Sequence, residues 1–586
     1  MSRRAALVRP LLIAAAAVGM LAWTWDTWPD PLVDFGTHLY IPWRLSLGEV
    51  LYRDVALYNG PLSSYANALV FKLFGVGMNR LEAANAAVLI VAMTLVYRLT
   101  VRASGTTAAL FGGLTFALVF AFGQGVGIGN YNWITPYAHE LTHGVTLGLA
   151  AVACLDRYFR TGRLRWSSAA GFAVGAAFLT KAEPAVAAIA AVAVQLVAGL
   201  WVDRRRPVAV VAVTVGSAVA VPVIAAGLLS IAMPMPLAIR GVLGSWPWAL
   251  DRRITSLPFY RGLSGLNDVE GNLWMVAKWT FAYAAIGAAA IAAARCRRIL
   301  LAGLISAAAV AIGFYRVNWP DALRALPVVL CVAAVLATVA AFRRGDRTPG
   351  RSALRLALVV FALALLGKIL LVTHAYHYGF ALAMPGTLVL VAIVAEELPA
   401  WTGGRAAVVR AVALPIWVAF VLATLIIESG PLSSKRWTVM ADSPDQFRAS
   451  TLGLEVQATV GWIDRNVPPG GTVAVFPQGL MVNYLARRAT PTRHVNFMPP
   501  EVIAAGEDAM LAALQRHPPD AVVIDGSAVV LDDGGTSPYG RFSLDHNYEW
   551  GGVTHDWIVA HYRDAGQVTL PPPMVPFYKF KIFVRK

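Results

Sequence analysis

Charge is scarce in this chain. Only 14% of its 586 residues are Asp, Glu, Lys or Arg, against about a quarter in a soluble domain. Hydrophobic residues make up 58% of it, and its mean hydropathy is +0.60. An oversized soluble core is excluded by pattern: apolar runs of about 17–25 residues, each long enough to cross the hydrocarbon, recur along the first 427 positions. Cysteine is nearly absent. Cys154, Cys296 and Cys331 lie within or beside apolar runs and form neither a metal spacing nor a disulfide framework. There is no low-complexity tract and no short internal repeat. The N-terminal run has basic flanks (Arg3, Arg4, Arg9) but no small-x-small cleavage site; it ends in Trp23-Thr-Trp-Asp26. Those aromatics suit a membrane interface, so we read an uncleaved first helix with a cytoplasmic N-terminus.

What charge there is has a sign and a place. The formal net charge is +16, which raises a nucleic-acid reading, but the Arg residues sit in short loops between alternate pairs of apolar runs. The clusters are Arg98/Arg102, Arg157/Arg160/Arg163/Arg165, Arg204–Arg206, Arg295/Arg297/Arg298, Arg343/Arg344/Arg347/Arg351 and Arg405/Arg410. This is the positive-inside pattern, with loops resting on anionic headgroups, and no nucleic-acid partner is expected. The loops delimit about thirteen spans, near residues 7–25, 84–99, 106–123, 140–156, 167–182, 184–202, 207–231, 272–294, 299–315, 322–342, 352–373, 379–397 and 411–427. The fold class is therefore mostly α: a polytopic helical domain over 1–427 and a soluble α/β domain over 428–586. An odd span count puts that tail outside.

Four outer segments stand out. Segment 26–83 holds Asp34, His38, Asp54, Asn59 and Glu82, with apolar residues at helical spacing (Leu39, Trp43, Leu47, then Leu69, Phe71, Leu73, Phe74). Such stretches read as helices lying in the interface plane. Segment 124–143 is rich in Gly, Asn and Tyr, and 232–271 in Trp and Pro. In the tail, Thr472–Phe476, Ala521–Ile524 and Lys579–Val584 carry β-branched residues between Pro, Gly or Asp and read as strands, with an intervening helix over Val502–Arg516.

Ionisable residues at membrane depth are functional candidates. Asp34, in Asp30-Pro-Leu-Val-Asp34-Phe-Gly-Thr-His38, follows the first span and is the candidate general base; the alternative is a solvated interfacial carboxylate. Asp54 is a second acid on the same loop. It could orient Asp34, bind hydroxyls or help hold a divalent cation, or it could pair with Arg53 or Arg44. No adjacent Asp-x-Asp accompanies it, so Mg or Mn stays an open alternative and no cofactor is assigned. His139-Glu140-Leu-Thr-His143 matches the His-Glu-x-x-His of zinc proteases letter for letter. No third ligand is evident nearby, and we read Glu140 and His139 as lining the same polar cavity as Asp34. Candidate cations for an anionic group are Lys181, beside Glu183 at a tight outer turn; Arg316 and Arg324, flanking Asn-Trp-Pro-Asp; and His374 and His377. Arg suits bidentate phosphate contact and Lys acts as a point charge; the alternative for each is snorkelling to headgroups.

Asp34-Phe-Gly-Thr-His-Leu-Tyr-Ile-Pro-Trp-Arg44, Gly48-Glu-Val-Leu-Tyr-Arg-Asp54 and Asn59-Gly-Pro61 resemble the first outer loop of the C-type membrane glycosyltransferases. The branch they are similar to holds the protein O-mannosyltransferases and the lipid A aminoarabinose transferase (glycosyltransferase family 39-like). The resemblance covers the whole layout of spans, acidic first loop and outer C-terminal domain. It implies a polyprenyl-phosphate sugar donor, inversion at the anomeric carbon, Asp34 as base, and a glycan, lipid or protein acceptor. The chain departs from the oligosaccharyltransferases in lacking a Trp-Trp-Asp-type signature in its tail and an acid pair after the first span. The expectation is a multi-pass enzyme of the bacterial inner membrane with a periplasmic tail, Asp34, Asp54 and Glu140 serving catalysis, and Lys181, Arg316, His374, His377, His38, Asn59 and His139 serving donor phosphate or substrate. The alternative is a transporter or flippase of lipid-linked sugars, although paired inverted halves are not visible.

Overall fold

The computed structural model describes residues 3–124, 127–202, 207–296, 298–343, 349–400, 402, 405–530, 540–543 and 548–586. Of the loop arginines, Arg204, Arg205, Arg206, Arg297, Arg344 and Arg347 lie outside the described residues. Every one of the thirteen apolar segments falls on helix. In chain order these are α1 (Arg3–Trp23), α2 (Phe35–Ser46), α3 (Leu62–Phe74), α4 (Met78–Ala103), α5 (Thr106–Thr115) with a π-helical extension to Phe120, α6 (His139–Thr161), α7 (Leu164–Phe178), α8 (Ala182–Val202) and α9 (Pro207–Ser230). Four short helices follow, α10 (Met235–Leu243), α11 (Trp246–Ala249), α12 (Arg252–Thr255) and α13 (Pro258–Ser264). Then come α14 (Val269–Cys296), α15 (Ile299–Gly313), α16 (Leu326–Phe342), α17 (Pro349–Leu366), α18 (Gly379–Leu382), α19 (Met384–Ala392), α20 (Leu398–Ala400) and α21 (Ala406–Ser434). Among the described residues seven helices are long and apolar enough to cross a membrane, and Leu7–Trp23, Thr106–Phe120 and Ile299–Gly313 are shorter apolar helices.

The helices bring the loops to two ends. At one end the arginine loops meet: Arg102 and Arg160 hold Asp156 at 3.3 and 2.9 Å, Arg351 and Arg355 bond the Ala103 carbonyl, and Arg410 pairs with Glu396 at 3.0 Å. Those carbonyls cap a helix C-terminus, where cations are favoured. α6 runs 23 residues from His139 to this end, about 35 Å at 1.5 Å per residue, a little more than the hydrocarbon thickness. The opposite end gathers the loop after α1, residues 127–138, the turn before α8 and residues 367–378.

Small residues set the closest helix approaches, as they do in lipid, where packing rather than hydrophobicity joins helices. α7 lies against α9 with Ser167 and Thr214 hydroxyls 2.7 Å apart and Ser168 and Ser217 2.9 Å apart. A Cβ at Gly175 would stand 2.8 Å from that of Val221. Of the first-loop helices, α3 exposes Leu69, Leu73 and Phe74, as an interface helix should. α2 differs: Phe35 and Leu39 are fully buried under the tail, each worth about 1.5–3 kcal/mol of burial.

The tail runs from β1 (Trp437–Val439) and β2 (Phe447–Ala449) through α22 (Thr451–Asn466), β3 (Val473–Phe476), α23 (Leu480–Leu485), α24 (Pro499–Ala505), α25 (Glu507–Arg516), β4 (Ala521–Ile524), β5 (Val529–Val530), β6 (Arg541–Ser543), β7 (Glu549–Trp550), α26 (Gly552–His561), β8 (Tyr562–Gln567) and β9 (Lys581–Arg585). The main sheet has order β3-β4-β9-β8, with β3 and β4 parallel and the rest antiparallel. The three expected strands are there. The helix expected over Val502–Arg516 is two helices, split at Gly506, whose φ of 83° ends α24. α23 docks on α2 where Gly36 leaves no side chain; a Cβ there would lie 2.6 Å from the Met481 Cα. One hydrophobic cluster thus joins Phe35, Leu39 and Trp43 to Met481, Tyr484 and Phe447.

Candidate active site

The segment that carries Asp34 is fixed from both sides. Asp30 accepts from the Leu32 and Val33 amides at 2.9 and 2.7 Å and from the Gly129 amide at 3.2 Å. Asn130 Nδ2 donates to the Val33 carbonyl at 2.8 Å. Lys435, at the end of α21, donates to the Thr27 carbonyl and to Gln124 Oε1. Asp34 then caps α2 at φ 56° and ψ −60° and makes no side-chain capping bond. A positive φ is tolerated better by Asp than by most residues but is strained, and such strain concentrates at functional sites. Among the described residues no hydrogen bond or ion pair engages its carboxyl. Burial pushes that carboxyl up to about 7, with the Asp30 charge adding and Lys181 opposing.

Around Asp34 stands a ring of phenols and two lysines. Its charge reaches Tyr131, Tyr137, Tyr260 and Tyr378. Tyr131 and Tyr137 have ring centroids 5.3 Å apart, and Tyr137 and Tyr378 4.7 Å. Lys181 Nζ lies 3.4 Å from the Tyr137 hydroxyl and 5.1 Å over its ring. Lys368 lies 4.8 Å over the Tyr378 ring and bonds Glu183 at 2.7 Å. Lys181 is presented by a tight turn. Leu179 and Thr180 accept from the Leu62 and Gly60 amides, and Ser245 Oγ accepts from the Ala182 amide at 3.0 Å. Asn59 adjoins this pinned stretch, its carbonyl accepting from the Tyr52 hydroxyl at 2.8 Å.

A second polar pocket lies under α2. His38 Nδ1 is 3.8 Å from Glu140 Oε2. The His139 ring packs 5.0 Å from that of His38 and 5.8 Å from that of His143. His139 Nε2 meets Asn85 Nδ2 at 2.8 Å, and His143 Nδ1 meets Ser63 Oγ at 3.0 Å. Glu140 is fully buried with neither oxygen hydrogen-bonded. Burial lowers His38 against the pull of Glu140. His139 and His143 each spend a ring nitrogen on a protein partner, and among the described residues no three His, Cys, Asp or Glu side chains converge in metal-holding geometry.

This geometry can be set beside known proteins. Residues 58–225 match the model of the dolichyl-phosphate-mannose-protein mannosyltransferase family. No curated protein sequence matches the chain. Among solved structures, the chain is similar to the oligosaccharyltransferase AglB of Archaeoglobus fulgidus, determined with an inhibitory peptide and a dolichol-phosphate. The identity is 13%, over 97% of this chain and 80% of that one, with a TM-score of 0.52. The chain carries the C-type membrane glycosyltransferase fold. ArnT from Cupriavidus metallidurans, in its apo state, is similar at 14% identity over 99% of this chain and 98% of that one, with a TM-score of 0.44.

Within this glycosyltransferase fold the sequence candidates separate. Asp34, Lys181 and His377 come to the phenol ring, and His38, His139 and Glu140 to the pocket under α2. Asp54 is spent elsewhere: both its oxygens bond Arg53, at 2.8 and 2.7 Å, and it accepts from the Val50 amide. Arg316 is exposed at the rim of a cavity of about 2320 Å³, lined mostly by aliphatic and aromatic side chains of α4, α14–α17, α19 and α21. Neither Asp34 nor Lys181 lines that cavity. Arg324 is held by Asp321, Asn272 and the Leu371 carbonyl. His377 reaches the phenol ring, its centroid 4.2 Å from that of Tyr131, whereas His374 stacks on Tyr376 with centroids 4.3 Å apart; burial pushes His374 down to about 4 and His377 to about 3. They are neutral at pH 7 and bring no positive charge. The cation that sequence reasoning missed is Lys368. Its signal was there, an ammonium inside the apolar run 352–373, where an ionisable residue is costly. Helix ends at Ile369, short of residue 373, so Lys368 sits at the helix end facing the site.

Proposed function

We propose that the chain transfers a sugar from a polyprenyl-phosphate donor to a hydroxyl of an envelope acceptor at the outer face of the membrane, inverting the anomeric carbon. The observation that carries this reading is the unpaired Asp34 carboxyl, fixed by Asp30 and Asn130, opposite Lys181. Residues 1–427 form the catalytic membrane domain in this reading and 428–586 the outer domain. N-terminus inside and tail outside follows from the arginine loops lying at the end away from Asp34, and the membrane is the bacterial inner membrane.

In the reaction the acceptor oxygen bonds to the anomeric carbon while the bond from that carbon to the phosphate oxygen breaks. Asp34 takes the hydroxyl proton, and the phosphate leaves with the bonding electrons. The ring gains oxocarbenium character, as in glycosidases. Lys181 holds the phosphate charge as it develops; Lys368, neutralised by Glu183, fixes the Tyr378 side of the chamber. Glu140 faces His38 of α2 from below, and His139, His377 and Asn59 line the chamber around the donor. The large apolar cavity between α4, α14 and α21 suits an isoprenoid chain. Donor lipids and glycans from the envelope of cells lacking the protein, mixed with the purified chain, should release free polyprenyl phosphate in proportion to added glycan. Movement of the donor across vesicles without such release would mark a transporter instead.

A further inference from the structure

The tail does more than cover α2. Its segment before α24 is stitched to the first outer loop: the Ala56 amide donates to the Arg493 carbonyl at 2.8 Å, the Thr490 amide to the Tyr40 hydroxyl at 2.8 Å, and Asn496 Nδ2 to Thr37 Oγ1 at 3.4 Å. α24 packs against α12 of the third outer loop. These contacts deliver Glu501 to the roof of the chamber. Its charge is felt by Tyr58 and Tyr260, and it lies within the field of Asp34. Tyr260, on α13, feels the charge of both carboxyls.

Among the described residues, Glu501 Oε2 is sealed from solvent and has no hydrogen-bond partner. The carboxyl is also engaged by its own backbone amide. A buried carboxylate oxygen without a donor is costly, and native proteins rarely keep one without use. Donor phosphate is an implausible match for a carboxylate, since like charges repel. A neutral hydroxyl is the complementary group, and the acceptor is the substrate that brings hydroxyls.

We propose that Glu501, carried by the tail, is the acceptor-side carboxyl of the site: it accepts a hydrogen bond from a hydroxyl of a polyhydroxy acceptor and holds that acceptor toward Asp34. This rests on the transferase reading. It assigns the tail a part in choosing the acceptor and separates two walls, Lys181 for the donor phosphate and Glu501 for the acceptor.

The test uses the full chain in lipid nanodiscs, with donor lipids and the envelope glycan fraction both taken from cells lacking the protein. Release of polyprenyl phosphate is followed as the glycan fraction is titrated, and affinity for undecaprenyl phosphate is measured separately. Glu501→Leu should raise the glycan needed for half-maximal release by about ten-fold or more, the loss of a hydrogen bond to a charged group. Glu501→Gln, which keeps an accepting oxygen, should fall between Leu and wild type. Undecaprenyl phosphate affinity should not move in either. Half-saturation unchanged in Glu501→Leu overturns the assignment, as does a parallel loss of undecaprenyl phosphate affinity, which would mark a structural role. Absence of release by the wild-type chain overturns the transferase reading itself.

Discussion

Lys368 Nζ and Glu183 Oε1 lie 2.7 Å apart, joining the end of α17 to the first turn of α8. The two residues are 185 positions apart, and the pair ties the helix that follows Lys181 to the segment that leads to His377. Both side chains keep about a fifth of their surface exposed, so the pair is worth less than a fully buried one.

Glu183→Gln should therefore destabilise the chain by about 1–2 kcal/mol, below the roughly 3–5 kcal/mol of a sealed pair. Melting in detergent reads the loss. The swap Glu183→Lys with Lys368→Glu should recover most of it, whereas each charge reversal alone should not.

Lys181 and Arg316 should part company. Lys181→Met removes the cation beside Tyr137 and should weaken undecaprenyl phosphate binding by about ten-fold or more, as for a charge-assisted hydrogen bond. Arg316→Ala, at the cavity rim, should leave that affinity unchanged. Equal effects of the two would return Arg316 to the phosphate site.

Asp34 gives the pH dependence. Its carboxyl is raised to about 7 from the usual 3.8, so the charged base is the minor form below pH 7, and kcat/KM should fall about ten-fold per pH unit on that side. For stability the sign is the reverse of a salt-bridged carboxylate. The folded chain holds the Asp34 proton more tightly than the unfolded chain, so this contribution is full below about pH 3.8 and is lost as pH rises through 7. Asp34→Asn should melt above wild type at pH 8, and the gap should close as pH falls from 7 toward 4. A gap that widens toward acid would contradict a desolvated carboxyl.

The membrane architecture was legible because bilayer thickness imposes a length on apolar runs, and because arginines mark alternate loops. Asp34 was legible as an acid just beyond a span. Lys368 was hidden near the end of a long apolar run, and its partner is distant in sequence. The phenols Tyr131, Tyr137 and Tyr378 look like any interfacial aromatics until the fold collects them. Asp54 was legible as either a second acid of the site or a partner of Arg53 or Arg44, and the structure pairs it with Arg53. The histidines misled because their charge state depends on burial, which one sequence does not disclose. Gly506 was a visible punctuation within the helix expected over 502–516, and its positive φ is what divides α24 from α25. Glu501 gave no signal beyond an acid near a helix start.

The most direct measurement is turnover by Asp34→Asn, assayed as release of polyprenyl phosphate at pH 8 alongside undecaprenyl phosphate affinity and melting. The account predicts a fall of about 10²–10⁴ in turnover, with lipid affinity kept and melting no lower than wild type. Near-wild-type turnover in that variant would contradict it.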